Sequence, residues 1–408
     1  MRITMNAQTT LISVGLLAFG AASCGVAPDD VVANTATAPL TAAVGSCTGA
    51  WLVVGSPNVG GQDNSLAAVA GSSPSDVWAV GQFAPDTNPN ITLTLAEHYD
   101  GTAWSIVSTP NLGVNHGNAL LAVTAQPGAA WAVGYEIGTD YLAHSLIEAW
   151  DGHAWQIVDH PQSFETENLY GVTSVAADDV WAVGSGRNSE GEFRAFALHF
   201  DGHAWAFVPA ANPGTSGNVL YGVVANGRND VWAVGQKIGD APPDHALVEH
   251  WNGVRWSEVL APRGGPASTQ LLAADVVAGD DVRAVGDAQD GVVSLRTFAL
   301  SGEGAGFSLQ GTPDPATGDN RLTGVAAVSD DESWVVGSYL DDASGNLLTL
   351  IASGGEGKPW AQVASPSPAG DGDSQLATVA KVGARDLWAV GSFDGPDAQQ
   401  TLILHRCR

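Results

Sequence analysis

The sequence predicts an all-β fold: a seven-bladed β-propeller of four-stranded antiparallel blades, closed by an N-terminal strand that completes the last blade. Three observations carry this. A segment of the Trp-Ala-Val-Gly type returns seven times, its Trp position falling at 78, 131, 181, 232, 283, 334 and 388. Such a period marks a repeat architecture in which each unit buries its apolar faces against its neighbours. Each repeat holds four short apolar runs parted by Gly, Pro, Asp and Asn, and helical periodicity is absent after residue 30. The two ends of the chain each hold part of one repeat.

Within a unit the elements follow one template. An Asn, Ser or Thr precedes a Leu-x-x-Val run, as in Leu66-Ala-Ala-Val69, Leu169-Tyr-Gly-Val172 and Leu322-Thr-Gly-Val325. This is read as the innermost strand. A polar turn leads to the Trp-Ala-Val-Gly strand, then to an acidic loop of variable length. A third strand such as Thr94-Leu-Ala-Glu-His-Tyr99 follows. An Asp-Gly turn brings in a fourth strand headed by Trp, as in Trp104-Ser-Ile-Val107, and Pro110, Pro161, Pro262, Pro313 and Pro366 end five of these. Four antiparallel strands repeated seven times describe a propeller.

The ends supply the closure. Trp51-Leu-Val-Val-Gly-Ser-Pro57 is a fourth strand without its first three. The last repeat stops at Leu402-Ile-Leu-His-Arg-Cys-Arg408, a third strand without its fourth. Aligned on an intact unit, Cys47 and Cys407 both fall at the position of Asp100 in the outer hairpin turn. Two exported cysteines meeting there are expected to form a disulfide.

Residues 1–23 read as an export signal: Arg2, an apolar core from Leu11 to Phe19 too short to span a bilayer, and small residues before Cys24. This resembles the lipobox of bacterial lipoproteins, with Ala21 where Leu is usual. The resemblance implies lipidation of Cys24 and a lipid anchor at the outer membrane or surface of a bacterium. Ordinary cleavage near Ala22 or Ser23, giving a secreted protein, is the alternative. Residues 24–46 read as a flexible tether and 47–408 as the propeller.

The formal net charge is −28, from 43 acidic against 15 basic residues. Phosphate backbones need Lys and Arg, so nucleic acid is excluded as a partner. The units resemble those of exported bacterial propellers with Trp-Ala-Val-Gly repeats, within the kelch/galactose-oxidase and BNR-like group. Two departures stand out. Gln82 and Tyr135 follow Gly81 and Gly134, where kelch repeats carry a second Gly. Asp100-Gly-Thr-Ala-Trp104 also differs from the sialidase Asp-box. The resemblance therefore implies a fold and carries no enzyme with it.

Candidate residues fall into sets. The second-strand Trp residues are expected between blades as core. Arg283 replaces one of them and needs a partner, Asp275, Asp280 or Asp281, or opens a pocket. In the outer hairpins Trp150 with Trp155 and Trp251 with Trp256 flank Asp-Gly or Asn-Gly turns. They staple the hairpin or stack on sugar, and Trp150-Asp-Gly-His-Ala-Trp155 is similar to the pattern of seven-bladed lectins. Gly302 and Gly355 are read as having lost the pair. His98, His199, His250 and His405 recur at one strand position and are read as half-buried structural residues. Asn64, Asn118, Asn168 and Asn218, placed before inner strands at the channel mouth, cap turns or ring a ligand. No metal site and no cofactor are expected. Calcium is the one candidate ion, at Asp341-Asp-Ala-Ser-Gly345 or around Asp371 and Asp373, although neither has EF-hand spacing.

No nucleophile elbow, phosphate loop or dinucleotide fingerprint is present. The expected function is that of a monomeric, non-catalytic envelope or cell-surface lipoprotein whose propeller binds a protein or a glycan. The alternative is a glycosidase or lyase acting on polysaccharide, with its carboxylates drawn from separate blades.

Overall fold

A computed structural model describes residues 49–407, apart from 113–115, 240–243, 265–267, 278–280, 291–293, 304–305, 356–357 and 385. Among the described residues there is no helix, and the strands number 28. They fall into seven antiparallel sets of four. Five are separate sheets, and the third and fourth sets are joined by a single parallel bridge between Phe193 and Gly217. The innermost strands are Asn64–Ser73, Asn118–Gln126, Thr166–Ala176, Gly217–Gly227, Thr269–Val277, Asn320–Ser329 and Ser374–Val382. Each touches the next around the ring, and Ser374–Val382 touches Asn64–Ser73. The blades are numbered 1 to 7 from these strands.

Blade 7 closes the ring as the sequence implies. Its outer strand is Leu52–Val54, paired with Gln399–Cys407 in the register Leu52 to His405, Val53 to Leu404 and Val54 to Ile403. Thr401 N–H donates to the Asn58 side chain at 2.9 Å, and Gln399 N–H donates to Asp63 at 2.9 Å. The last strand is thus tied to the first loops as well as to the first strand.

A bulge explains the invariant glycine of the second strand. In every blade the inner strand skips one residue opposite that glycine, as between Leu66 and Ala68 or Leu169 and Gly171. The bulge drives an inner-strand carbonyl toward the neighbouring Cα. A β-carbon on Gly81, Gly184 or Gly235 would lie 2.0, 1.9 or 1.9 Å from the oxygen of Ser65, Asn168 or Val219. Only glycine fits there. The outer turns have a different reason for theirs. Gly101, Gly152 and Gly202 have φ of 93°, 94° and 91°, and the preceding Asp accepts the next two backbone N–H groups, as Asp100 does from Thr102 and Ala103.

The core consists of the gaps between blades. Each second-strand Trp inserts into the outer hairpin of the following blade. Trp78 meets Trp150 and Trp155 of blade 2 at ring centroids of 4.8 and 5.1 Å. Trp181 meets Trp251 and Trp256 of blade 4 at 5.0 and 5.6 Å, and Trp388 meets Tyr99 and Trp104 across the closure at 4.9 and 5.3 Å. On its other side the Trp carries a histidine of its own blade: His199 stacks on Trp181 at 4.2 Å and bonds Asp179 at 2.8 Å. His98, His250 and His405 repeat this with Asp76, Asp230 and Asp386. The half-buried structural role expected of these histidines holds, with a carboxylate partner for each. Blade 2 has Ala149 at the histidine position and Ala129 at the aspartate position, opposite Trp131.

Blade 5 departs from the pattern, and its neighbour departs with it. Arg283, 5% exposed, pairs with Asp281 at 2.6 Å and donates to the Asp330 carbonyl at 3.1 Å. Of the sequence candidates, Asp281 is its ion-pair partner, and Asp280 lies outside the described residues. In blade 6 the residue opposite Ser333, at the Tyr99 position, is Gly354. The register shift between Ser353 and Gly355 moves the assignment one residue from the expected Gly355.

Candidate functional site

The residues singled out from sequence are mostly committed to the fold. Trp155 and Trp256 are buried, Trp150 and Trp251 are half-buried, and all four pack on the Trp of the preceding blade. Asn64, Asn118 and Asn218 are buried to 1% exposure or less. Asn64 accepts from Val59 N–H and donates to the carbonyls of Val59 and Gln62; Asn218 does the same with both backbone groups of Gly214; Asn118 donates to His116. These are turn caps. Cys407 is disulfide-bonded. Cys24 and Cys47 lie outside the described residues.

Asn168 is in a different place from the other three. The register that pairs Asn64 with Phe83 pairs Glu167 with Gly186 and Asn168 with Ser185. Glu167, buried, takes the capping role, accepting from Ser163 N–H, Phe164 N–H and the Ser145 hydroxyl at 3.0, 3.2 and 2.6 Å. Asn168 instead donates its amide to the Tyr170 hydroxyl at 3.1 Å.

Tyr170 belongs to a group that sequence reading did not assemble. It occupies the bulge of the blade 3 inner strand, and Tyr221 occupies that of blade 4. Their rings meet edge to face at 5.4 Å. Burial raises the hydroxyls of both, and Tyr135 of blade 2, also raised by burial, feels Tyr170. Tyr221 further feels Asp287 of blade 5 and Arg321 of blade 6. Side chains from five successive blades come this close only near the axis. The group therefore lines the channel at the end where the inner strands begin.

One wall of this mouth is aromatic and the other is charged. Asp287, 3% exposed, accepts from Gln270 Nε2 at 3.1 Å on both oxygens and pairs with Arg321 Nε at 2.8 Å. Burial raises its carboxyl against the opposing pull of Arg321. Gln82 Oε1 on the second strand of blade 1 and Asn168 Oδ1 on the inner strand of blade 3 stand at the same rung of their ladders, and both are buried acceptors without a hydrogen-bond partner, as is Asn118 Oδ1. The mouth thus offers phenols and one guanidinium, while these amide carbonyls are enclosed behind it. The loop acids around it are largely engaged as caps. Asp86 accepts from Gly61 N–H, Asp319 from Leu295 N–H, and Asp342 from Thr317 and Gly318 N–H. Among the described residues no group of three or more His, Cys, Asp or Glu could hold a metal ion.

No family model matches the chain, and no curated protein matches it in sequence. Among solved structures the chain is similar to YCF48 bound to a D1 peptide, with a TM-score of 0.54 and 11% identity over 88% of this chain and 97% of that one. It is similar to YCF48 from Cyanidioschyzon merolae, with a TM-score of 0.52 and 14% identity over 88% and 99%. It is also similar to a polysaccharide lyase, the PL25 ulvan lyase bound to -[GlcA(1-4)Rha3S]-, with a TM-score of 0.53 and 10% identity over 84% and 96%. At these identities the likeness is one of fold. The class the fold and its axial mouth define is a β-propeller.

Proposed function

We propose that this propeller is a non-catalytic binding module, and that its ligand, a glycan or a protein segment, enters the channel mouth framed by Tyr135, Tyr170, Tyr221, Asp287 and Arg321. The observation that carries the reading is the convergence of these five residues from five blades. Repeat symmetry alone calls for one residue type at these positions, and the blades supply different ones. Burial raises the three tyrosines, so they act as neutral phenols that give and take hydrogen bonds. A lyase base needs the opposite shift. Fold neighbours support both ligand classes, one solved with a peptide and one with a glycan.

The sequence supports the rest of the reading: lipidation at Cys24, residence on the envelope or cell surface, and pairing of Cys47 with Cys407. The test is a glycan array and an envelope cross-linking experiment with the chain from residue 25 onward, wild type beside Tyr221→Ala. Binding that Tyr221→Ala removes supports the mouth as the site. Binding that survives the substitution places the site elsewhere. Turnover of a retained polysaccharide would replace the binding role by the enzymatic one.

A further inference from the structure

Arg321 is built to receive a ligand. Its Nε edge faces Asp287 at 2.8 Å, and Gln270 holds both oxygens of that carboxylate. The contact is an ion pair that anchors the charge, although the buried Nε–H is not aimed along a hydrogen bond. Among the described residues Asp287 is the only partner of Arg321, and its side chain retains 27% exposure. Arg296 is the contrast. Its two terminal amines are consumed by the carbonyls of Ala316, Thr317 and Gly318 and by Asp290. The charge of Arg321 also reaches Tyr221, two blades away. Its register agrees: Arg321 stands at the inner-strand rung that Asn168 holds in blade 3 and Gln270 in blade 5.

An arginine whose Nε side is turned to one carboxylate keeps its two terminal amines for a ligand, the fork that matches a second carboxylate. On the opposite wall Tyr170 is oriented by Asn168, with Tyr221 edge to face against it. Partly exposed phenol hydroxyls beside aromatic faces suit the hydroxyl groups of a sugar. A peptide segment would ask for apolar pockets or a free strand edge, and the mouth supplies neither among the residues named.

Resting on the reading of the mouth as the binding site, we infer that its ligand is a saccharide carrying a single carboxylate, a uronic acid unit on an otherwise neutral glycan, with Arg321 receiving the carboxylate and Tyr170 and Tyr221 lining the sugar. The net charge of −28 selects against a polyanion. It repels any anion at long range, and only a contact with the fixed guanidinium offsets that repulsion. Binding should accordingly strengthen from low to physiological ionic strength, the reverse of ordinary ion pairing.

The experiment is an array of acidic glycans printed twice, native and carboxyl-reduced, with peptides bearing free or amidated C-termini beside them. It is read with wild type, Arg321→Gln, Arg321→Lys and Tyr221→Ala, each checked for folding by its thermal transition. The expected result is binding to native uronate glycans at least about tenfold above their reduced forms. That difference is lost in Arg321→Gln and partly kept in Arg321→Lys, and Tyr221→Ala weakens both forms. Equal binding to native and reduced glycans, unchanged in Arg321→Gln but lost in Tyr221→Ala, overturns the uronate while leaving the mouth as the site. Binding indifferent to both positions, or no binding of any glycan or peptide, overturns both. Selective binding of free C-terminal peptides replaces the saccharide by a peptide terminus.

Discussion

The Ser56 hydroxyl donates to the buried carboxyl of Glu97, lying 2.9 and 3.2 Å from its two oxygens. The contact joins the end of blade 7 to the third strand of blade 1. Blade 4 makes the same junction with Glu249, which accepts the N–H groups of Ala211 and Asn212 at the end of blade 3. Blade 2 repeats the glutamate as Glu148 but not its donors. Pro110 has no N–H, and the Thr109 hydroxyl is turned to Thr94. Both oxygens of Glu148 are buried without a partner. The corresponding residues of blades 3, 5 and 7 are Leu198, Leu300 and Leu404.

Glu148→Leu should therefore stabilise the protein. A buried polar group without a partner costs about 1–3 kcal/mol, and leucine is of similar volume. Urea unfolding should show a higher midpoint for Glu148→Leu. Glu97→Leu should gain less, because it strands the Ser56 hydroxyl. A lower midpoint for Glu148→Leu would mean that the carboxyl has a partner.

Stability should fall as pH rises through neutrality. Burial pushes Glu97 and Glu148 from the ordinary 4.5 to about 8. Between those values the unfolded chain gives up protons that the folded chain keeps, so stability present below about 4.5 is lost progressively up to about 8. Asp100, Asp151 and Asp201 act at the other end. Backbone N–H groups hold them below 3.8, so their contribution is lost as the solution becomes more acid than that. The unfolding midpoint should be higher at pH 5 than at pH 8, with a shallower slope in Glu148→Leu. A midpoint that rises over this interval would contradict the burial of these carboxyls.

Gly184→Ala should prevent folding or cost several kcal/mol, because the new methyl lands 1.9 Å from the Asn168 carbonyl oxygen. Gly227→Ala is the control: nothing lies within 4 Å of its β-carbon position, so its effect should stay within about 0.5 kcal/mol. Soluble expression and thermal unfolding of the two variants measure the difference. Equal tolerance would show that the bulge can relax.

Cys407→Ser should lower the unfolding midpoint, and reductant should do the same to wild type. If the partner is Cys47, closing a loop of that length is worth roughly 5–6 kcal/mol at most in the chain-entropy picture. Cys24→Ser should leave the midpoint of the unlipidated chain unchanged. A fall in Cys24→Ser would reassign the pair.

The period of the Trp-Ala-Val-Gly segments made the blades and their closure legible, because every blade needs an aromatic at the gap and a glycine at the bulge. The channel group was not legible for the same reason. Its members stand at repeat positions where the blades disagree: the bulge holds Ala67, Leu121, Tyr170, Tyr221, Leu272, Thr323 and Ala377 in turn. Aligning repeats draws the eye to what recurs, while an axial site is assembled from what does not. The two tyrosines in adjacent blades were the available signal. Asn168 was misplaced because blade 3 caps with Glu167, and Gly355 because an irregularity in blade 6 shifts its register by one.

Among the described residues the strand Leu52–Val54 has its only strand partner at Gln399–Cys407. A chain made from its N-terminus must therefore carry an unpaired edge strand until Gln399–Cys407 has emerged. Completion of the ring is set by the arrival of the final strand, and truncation of a few residues there should leave an open structure with two raw edges. Such a species is prone to join its own kind edge to edge, so quality control in this protein rests on the last nine residues that the structure describes.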